Sequence, residues 1–124
     1  LFPKWIPQYQ EMLSGPMLPS SRLFTIPAQV YPSARFGLVD TQQDAAQSEI
    51  ISRFDKNLTL AKVLQSNMAD IQAAAPGSRY YIAPGDHHCI TMDPAFYDTT
   101  VKNVRLDDWF ARMAAGQPVE NIAP

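Results

Sequence analysis

The sequence predicts an α/β fold, in which helices flank a parallel sheet, and two observations carry that prediction. Short apolar stretches alternate with longer amphipathic ones in the order strand, helix, strand, helix. The 124 residues, 46% hydrophobic and 18% charged, suffice for one domain with a real core. Two strands do not make a stable sheet of this kind alone, so we expect the remaining strands on an upstream segment. The start at Leu1 rather than methionine fits a processed or truncated protein.

Residues 1–33 are interpreted as a proline-rich cap or connecting segment, and residues 34–124 as the C-terminal part of the main domain. Six prolines between Pro3 and Pro32 exclude a long helix in the first segment and favour short helical turns joined by loops. Five apolar residues of this segment lie at roughly helical spacing and are interpreted as a packing face: Trp5, Ile6, Tyr9, Met12 and Leu13.

Two strands are predicted in the main domain. Ala34–Asp40 is short and apolar, and it lies between a proline and a polar turn. Arg79–Pro84 has the same character and follows the turn pair Pro76-Gly77.

Helices are predicted between and after these strands. Ala45–Phe54 begins directly after Asp44, a good N-cap residue, and a second helix runs from about Leu58 to Ala75. Asp93-Pro94 is typical of a further helix start, and the last helix runs from about Leu106 to Ala115. We expect the following side chains of these helices to face the core: Ile50, Ile51, Phe54, Leu60, Val63, Leu64, Met68, Ile71, Leu106, Trp109, Phe110 and Met113.

Composition excludes several classes of partner. The net charge is −2 and no basic stripe is present, which argues against nucleic acid. The apolar runs are far shorter than the roughly 20 residues that a membrane span needs. Cys89 is the single cysteine, so it forms no internal disulfide and belongs to no zinc-ligand pattern. We expect no metal and no cofactor.

Polar residues follow both predicted strands, at the end where parallel α/β sheets bind ligands. The first strand leads into Asp40–Gln47 and the second into Gly85–Cys89. An acid after one strand and a histidine after the next is the α/β-hydrolase order of serine, acid, histidine. In such a triad the histidine takes the serine proton, and the acid orients the imidazole and stabilises its cation. The sequence therefore predicts the C-terminal portion of an α/β-hydrolase-like sheet.

Other interpretations of these polar residues stay open. Asp44 on its own is also a good helix N-cap. Asp86, His87 and His88 could form a surface loop or a metal site, although adjacent histidines rarely both point at one ion. Cys89 beside a histidine could be a thiol nucleophile, but adjacency in sequence does not supply the required geometry.

No nucleophile is recognisable. A serine elbow needs Gly-x-Ser-x-Gly or a close relative between a strand and a helix, and none of the serines lies in one. The nearest stretch, Leu13–Pro16, contains a proline and lacks a preceding apolar strand. We therefore expect the serine on residues upstream of this chain.

Several segments resemble the pectin acetylesterase family, which includes the Notum carboxylesterases. Asp44–Gln47 resembles the family's Asp-x-x-Gln segment, and Tyr31–Gly37 is similar to the start of the strand before it. Ala83–Ile90 resembles the loop that bears the catalytic histidine. Phe96-Tyr97 and Val104–Trp109 are similar to the segment that closes the family's domain.

This resemblance, over about residues 31–122, implies a serine carboxylesterase with an α/β-hydrolase-like fold. It puts the triad acid at Asp44 and the triad histidine at His88, with His87 as the alternative. It makes Gln47 a supporting residue that helps to fix the acid loop. The family's nucleophile and oxyanion-hole donors lie in its N-terminal half. The resemblance also implies a secreted or periplasmic location.

The leading prediction is a serine-type carboxylic ester hydrolase, acetylesterase-like, to which this chain supplies the acid and the histidine. Its partners are a small or polymeric ester (an acetylated sugar, a lipid acyl group or a polyester) and a companion N-terminal segment or chain. Cys89 could pair with a cysteine of that companion. A non-catalytic processed fragment or interaction module is the alternative. A metal-dependent hydrolase using Asp86, His87 and His88 is the third.

Overall fold

The computed structural model describes residues 21–124, apart from the side chain of Phe54. The packing face expected between Trp5 and Leu13, and the stretch Leu13–Pro16, lie outside the described residues. The described elements are, in chain order, helix α1 (Arg22–Val30), strand β1 (Gly37–Thr41), helices α2 (Ala45–Phe54) and α3 (Leu60–Ala74), strand β2 (Arg79–Ala83), a 3-10 turn (Ile90–Met92), the short helix α4 (Ala95–Asp98), strands β3 (Thr100–Val101) and β4 (Val104–Arg105), and helix α5 (Leu106–Ala114).

β1 and β2 form the parallel pair that the alternating pattern predicts. Their register runs from Gly37 opposite Arg79 to Thr41 opposite Ala83. On the other side of β2, a C-terminal residue adds an isolated parallel bridge, because the Ile122 carbonyl accepts the Ile82 N–H at 2.8 Å. Among the described residues β1 is therefore the outer strand. The chain has mixed α/β content and a small parallel sheet; two paired strands are too few to assign the α/β-hydrolase fold.

Local signals set the element bounds. α2 has the predicted limits, and α3 begins at Leu60 because the Thr59 side chain caps it, accepting the Lys62 N–H at 3.4 Å. β1 begins three residues later than predicted. The N–H of Phe36 donates to the Ser78 hydroxyl at 3.1 Å, so the chain joins the ladder only from the Phe36 carbonyl onward.

α1 shows how far the prolines limit the N-terminal segment. The segment forms a nine-residue helix, short as expected, but Pro27 lies inside it rather than at its end. Proline lacks the N–H that would bond to the carbonyl of Leu23, so one bond near the start of the helix is missing. Packing compensates for this loss: Ile26 is buried, and the Ser21 hydroxyl donates to Asp70 on α3 at 3.1 Å.

The core lies between the sheet and α5. Trp109 packs edge-on against Tyr81 with ring centroids 5.7 Å apart, and its indole N–H donates to the Glu120 carbonyl at 2.8 Å. The Tyr81 hydroxyl donates to the Val104 carbonyl at 2.7 Å, so both buried aromatics satisfy their polar groups. The core cluster consists of Tyr81, Ala83, Ile90, Val101, Leu106, Trp109, Val119 and Ile122.

Two predicted core residues are exposed. Phe110 is 43% exposed because it follows Trp109 by one residue and is turned away from the buried face of α5. Its ring packs edge-on against that of Phe96, with the ring centroids 5.6 Å apart. Ile50 is 54% exposed, whereas its neighbour Ile51 is half-buried. The other described members of the expected faces are buried or half-buried: Leu60, Val63, Leu64, Met68, Ile71, Leu106, Trp109 and Met113.

The hairpin of β3 and β4 has no counterpart among the predicted elements. Its turn residues Lys102 and Asn103 have φ of 50° and 63°, the left-handed pair of a tight hairpin. Only Asn103 matches the usual residues of such a turn, so the sequence signal is weak. None of the helices among residues 21–124 is both long and apolar enough to cross a membrane.

Candidate active site

The loops after β1 and β2 leave the same edge of the sheet and are bonded to each other. The Gln43 N–H donates to the Gly85 carbonyl at 3.0 Å. The buried Thr41 hydroxyl donates to the His87 carbonyl at 2.8 Å. Gly85 has φ of +92°, a conformation that glycine adopts without strain, where the chain turns away from β2. The acid loop and the histidine loop are therefore held at a fixed separation by the ends of the strands.

Asp44 makes two sets of contacts with one carboxylate. Its Oδ1 accepts the backbone N–H of Gln47 at 2.9 Å and so caps α2. Its Oδ2 lies 2.8 Å from Nδ1 of His88. The Asp44 side chain is 1% exposed, whereas that of His88 is 58% exposed. The helix cap and the histidine partner, two separate interpretations of the sequence, are the same side chain.

The contact through Nδ1 determines what the other ring nitrogen of His88 can do. A neutral imidazole that donates Nδ1–H to a carboxylate carries a lone pair on Nε2. No residue of the described part of the chain hydrogen-bonds Nε2 of His88. This nitrogen is therefore free to accept a proton from a group that approaches the exposed side of the ring.

Gln47 connects Asp44 to a second carboxylate. Its side-chain nitrogen donates to Asp44 Oδ2 at 3.1 Å and to Asp40 Oδ1 at 2.9 Å. The same Asp40 oxygen accepts the Thr41 N–H at 2.8 Å. The expectation that Gln47 supports the acid loop has a direct geometric basis in these two bonds.

The two carboxyl groups have opposite electrostatic environments. Burial by itself would raise the pKa of Asp44, but hydrogen bonds from the Gln47 N–H, the His88 ring and the Gln47 amide together hold that pKa below its ordinary value. Burial raises the pKa of Asp40, and the hydrogen bonds from Thr41 and Gln47 offset it only in part. The charge of Asp44 raises the pKa of Asp40 further. Asp44 is the carboxyl group that stays ionised to lower pH.

His87 points to a different acid. Its Nδ1 lies 3.4 Å from Asp93 Oδ2, and both side chains are substantially exposed. The two adjacent histidines thus pair with separate carboxylates. The geometry favours His88 over the alternative His87 as the partner of Asp44.

The same divergence gives the metal-site interpretation no support. His87 and His88 face Asp93 and Asp44 respectively, instead of converging with Asp86 on one point. Within residues 21–124, no group of three histidine, cysteine or acidic side chains is arranged to hold a metal ion.

A cavity of about 230 Å³ adjoins His88, but buried Asp44 does not line it. Met92 stands at this cavity with 87% of its surface exposed. A larger, more apolar cavity of about 370 Å³ is lined by α3, β2 and the C-terminal residues, and neither Asp44 nor His88 lines it. The smaller cavity is lined by Val39, Asp40, Thr41, Gln47, His87, His88, Cys89, Ile90, Thr91 and Met92.

Among the described residues, no hydroxyl or thiol is hydrogen-bonded to His88. The hydroxyl of Ser21 donates to Asp70, that of Ser52 donates to a helix carbonyl, and that of Ser78 accepts the Phe36 N–H. Cys89 is an exposed free thiol with a left-handed backbone, φ 57°, and has no hydrogen bond to His88. The thiol-nucleophile interpretation therefore has no geometric support.

No sequence pattern gives a functional role to Asp40, Thr41 or Asp93 individually. Asp40 and Thr41 stand at the end of β1, inside the polar run that was identified, and their position at a strand end was the available signal. Asp93 was interpreted as a helix-start acid, and its Oδ1 does accept the Ala95 N–H at 2.8 Å. Its other oxygen faces His87, which no sequence pattern indicates.

Comparison with known proteins gives no relative for this chain. No protein-family model, no curated protein and no solved structure matches it. The similarity to pectin acetylesterases therefore rests on the motifs quoted above.

Proposed function

We propose that this chain is the acid–histidine part of a serine-type carboxylic ester hydrolase of the pectin acetylesterase type. The observation that carries the proposal is the 2.8 Å contact between buried Asp44 and the Nδ1 of exposed His88. It lies beyond the carboxyl ends of two adjacent parallel strands, where α/β hydrolases hold their acid and histidine. The motif resemblance supports the same assignment.

The chemistry follows from the two ring nitrogens of His88. Nε2 accepts the proton of a serine hydroxyl as its oxygen attacks the ester carbonyl. Asp44 stabilises the resulting imidazolium through Nδ1–H and keeps the ring oriented. The imidazolium then returns the proton to the departing alcohol, which leaves an acyl-serine. Water attacks this acyl group in the second half of the cycle, losing its proton to Nε2, and the acid and the serine are released.

The serine and the oxyanion-hole donors belong to a companion N-terminal segment or chain in this proposal. β1 is the outer strand of the described sheet, and alternate residues of a parallel strand direct their backbone groups to its free side. The β1 sequence carries no lysine or proline of the kind that blunts exposed edges. An additional parallel strand at this edge would extend the sheet and bring its own carboxyl end to the site.

The substrate is a carboxylic ester: an acetylated sugar, a lipid acyl group or a polyester. The cavity beside His88 is lined by both polar groups and the exposed thioether of Met92. A generic activated ester, such as p-nitrophenyl acetate, tests the chemistry without a choice among these substrates.

The test compares the two histidines in the complete protein, expressed with its upstream segment or its companion chain. His88→Ala is expected to lower kcat for p-nitrophenyl acetate by about 10³-fold or more, as for loss of a triad member. His87→Ala is the matched control: it removes a neighbouring exposed histidine whose partner is Asp93, and it should retain activity. If His87→Ala loses activity and His88→Ala keeps it, the assignment is reversed; if both keep it, the triad proposal fails.

A complete protein that is folded and inert towards esters would favour the alternative, a non-catalytic fragment or interaction module. A secreted or periplasmic location belongs to the same proposal as the family resemblance. In an oxidising compartment the exposed thiol of Cys89 would be accessible to a cysteine of the companion. Mass spectrometry of the non-reduced native protein would detect that link.

A further inference from the structure

Gln47 places its side-chain amide between two carboxylates, and this arrangement leaves the amide only one orientation. Each N–H of the amide has its own acceptor, Asp40 Oδ1 at 2.9 Å and Asp44 Oδ2 at 3.1 Å. A flipped amide would direct its carbonyl oxygen at both carboxylates, which is electrostatically unfavourable. The pair of acceptors therefore fixes the amide.

The amide in turn fixes the oxygen that faces His88. Asp44 Oδ2 accepts from both Gln47 Nε2 and His88 Nδ1, while Oδ1 is held by the backbone N–H of Gln47. The carboxylate is almost fully buried, so it cannot exchange these donors for water. Rotation of the Asp44 carboxylate would break bonds at both oxygens.

Asp40 is anchored independently of this chain of bonds. It stands on β1, and its Oδ1 also accepts the Thr41 N–H at 2.8 Å. The half-buried Asp40 lies near a second negative charge, because its oxygen and that of Asp44 bond to the same nitrogen. Holding two carboxylates so close is unfavourable unless a donor lies between them, and Gln47 is that donor.

We propose that Asp40 is a positioning residue, which acts through the Gln47 amide to orient the Asp44 carboxylate and so set the Nδ1–H tautomer of His88. The hydrogen-bonded chain runs from the end of β1 to the exposed imidazole in three contacts. Its significance for catalysis rests on the proposed ester hydrolase activity; the orientation itself is a property of this chain. Asp40 acts as a hydrogen-bond acceptor in this chain, and its negative charge is not required.

The test measures the tautomer of His88 by long-range ¹H–¹⁵N NMR on the complete protein, with its upstream segment or companion chain, at about pH 8, where histidine is ordinarily neutral. Asp40→Ala removes the acceptor and is expected to lower the ratio of the Nδ1–H to the Nε2–H tautomer about fivefold, the effect of one typical hydrogen bond. Asp40→Asn keeps an acceptor oxygen for Gln47 and should retain the wild-type ratio. His87, paired with Asp93, is the internal reference in every spectrum.

A second substitution covers the case in which Asp40→Ala does not fold. Asp40→Ser keeps an oxygen for the adjacent Thr41 N–H but is too short to reach Gln47, and it should shift the ratio as Asp40→Ala does. An unchanged ratio in Asp40→Ala, or in Asp40→Ser where Asp40→Ala is unfolded, overturns the inference. Equal shifts in Asp40→Asn and Asp40→Ala would also overturn it, because the charge would then be the determinant.

The outcome separates this inference from the proposed function. The expected tautomer shifts in a protein whose complete form does not hydrolyse esters would refute the esterase proposal and keep the positioning role. In an active complete enzyme, the positioning role also predicts that Asp40→Ala lowers kcat with little change in KM, because Asp40 would act through the orientation of His88 and not through substrate binding. A fall in kcat without any tautomer shift would overturn the positioning role and keep the esterase proposal.

Discussion

Asp44→Ala is the substitution with the largest expected effect at the site. It removes the cap of α2, a loss of about 1 kcal/mol. It also removes the acceptor for the Gln47 amide and the His88 ring, bonds to an ionised group that are each of the order of 1.5 kcal/mol. The His88 bond contributes less than this because the ring is 58% exposed, and relief from burying a carboxylate offsets part of the total. We expect a net destabilisation of about 2–3 kcal/mol.

Urea unfolding followed by circular dichroism measures the free energy of unfolding of wild type, Asp44→Ala, His88→Ala and the double variant. These four proteins form a double-mutant cycle. His88→Ala should cost about 1 kcal/mol or less, since only one bond to an exposed ring is lost. The coupling energy between Asp44 and His88 should be about 0.5–1 kcal/mol. His87→Ala combined with Asp44→Ala is the control pair and should be additive. A zero coupling energy for Asp44 and His88 would refute the reasoning, since it would mean that the contact contributes nothing to stability.

The remaining predictions concern pH and packing. Because the folded chain lowers the pKa of Asp44, this carboxylate adds stability above the unfolded pKa of about 3.9, and that stability is lost as pH falls through the folded pKa. The urea midpoint of Asp44→Asn should therefore lie below that of wild type at neutral pH and approach it only in acid. The raised pKa of Asp40 means that its ionised form destabilises the folded chain at pH 7, so Asp40→Asn should raise the urea midpoint there and lose that advantage in acid. A lower midpoint for Asp40→Asn at pH 7 would contradict the conclusion that burial raises the pKa of Asp40. Trp109→Phe should lower the free energy of unfolding by about 2 kcal/mol, because it leaves the Glu120 carbonyl unpaired beside a new void. Thr59→Ala removes an exposed capping hydrogen bond of 3.4 Å and should lower it by about 0.5 kcal/mol; thermal or urea unfolding measures both.

The helices and both main strands were predictable because each depends on local signals. Asp44 starts α2 and Thr59 starts α3 through bonds to backbone N–H groups three residues ahead. Pro76-Gly77 separates α3 from β2, as the turn pair indicates. Exposure of Phe110 and Ile50 was not predictable, because hydrophobicity marks the candidates for burial and only the packing of neighbouring elements decides which face is covered.

The candidate site was predictable in outline from the order of strands. Parallel strands bring their carboxyl ends to one edge, so an acid loop and a histidine loop after neighbouring strands must meet there. The choice between His87 and His88 was not contained in that rule. Adjacent residues in a loop point in different directions according to backbone angles, and the chain has Gly85 and Cys89 with positive φ on either side of the two histidines.

The sequence by itself determined the alternating elements, the N-cap at Asp44 and the presence of an acid and a histidine loop, because these follow from propensities and spacings along the chain. Only the three-dimensional structure shows that Asp44 caps α2 with Oδ1 and faces His88 with Oδ2. It also shows that His87 faces Asp93 and that Gln47 bonds to both Asp44 and Asp40. The Asp44–His88 contact joins two loops that come together only through the pairing of β1 with β2, so a one-residue change in that register would separate the two side chains. The contacts of His87 with Asp93 and of Gln47 with Asp40 each lie within one segment and depend on the backbone angles of that segment.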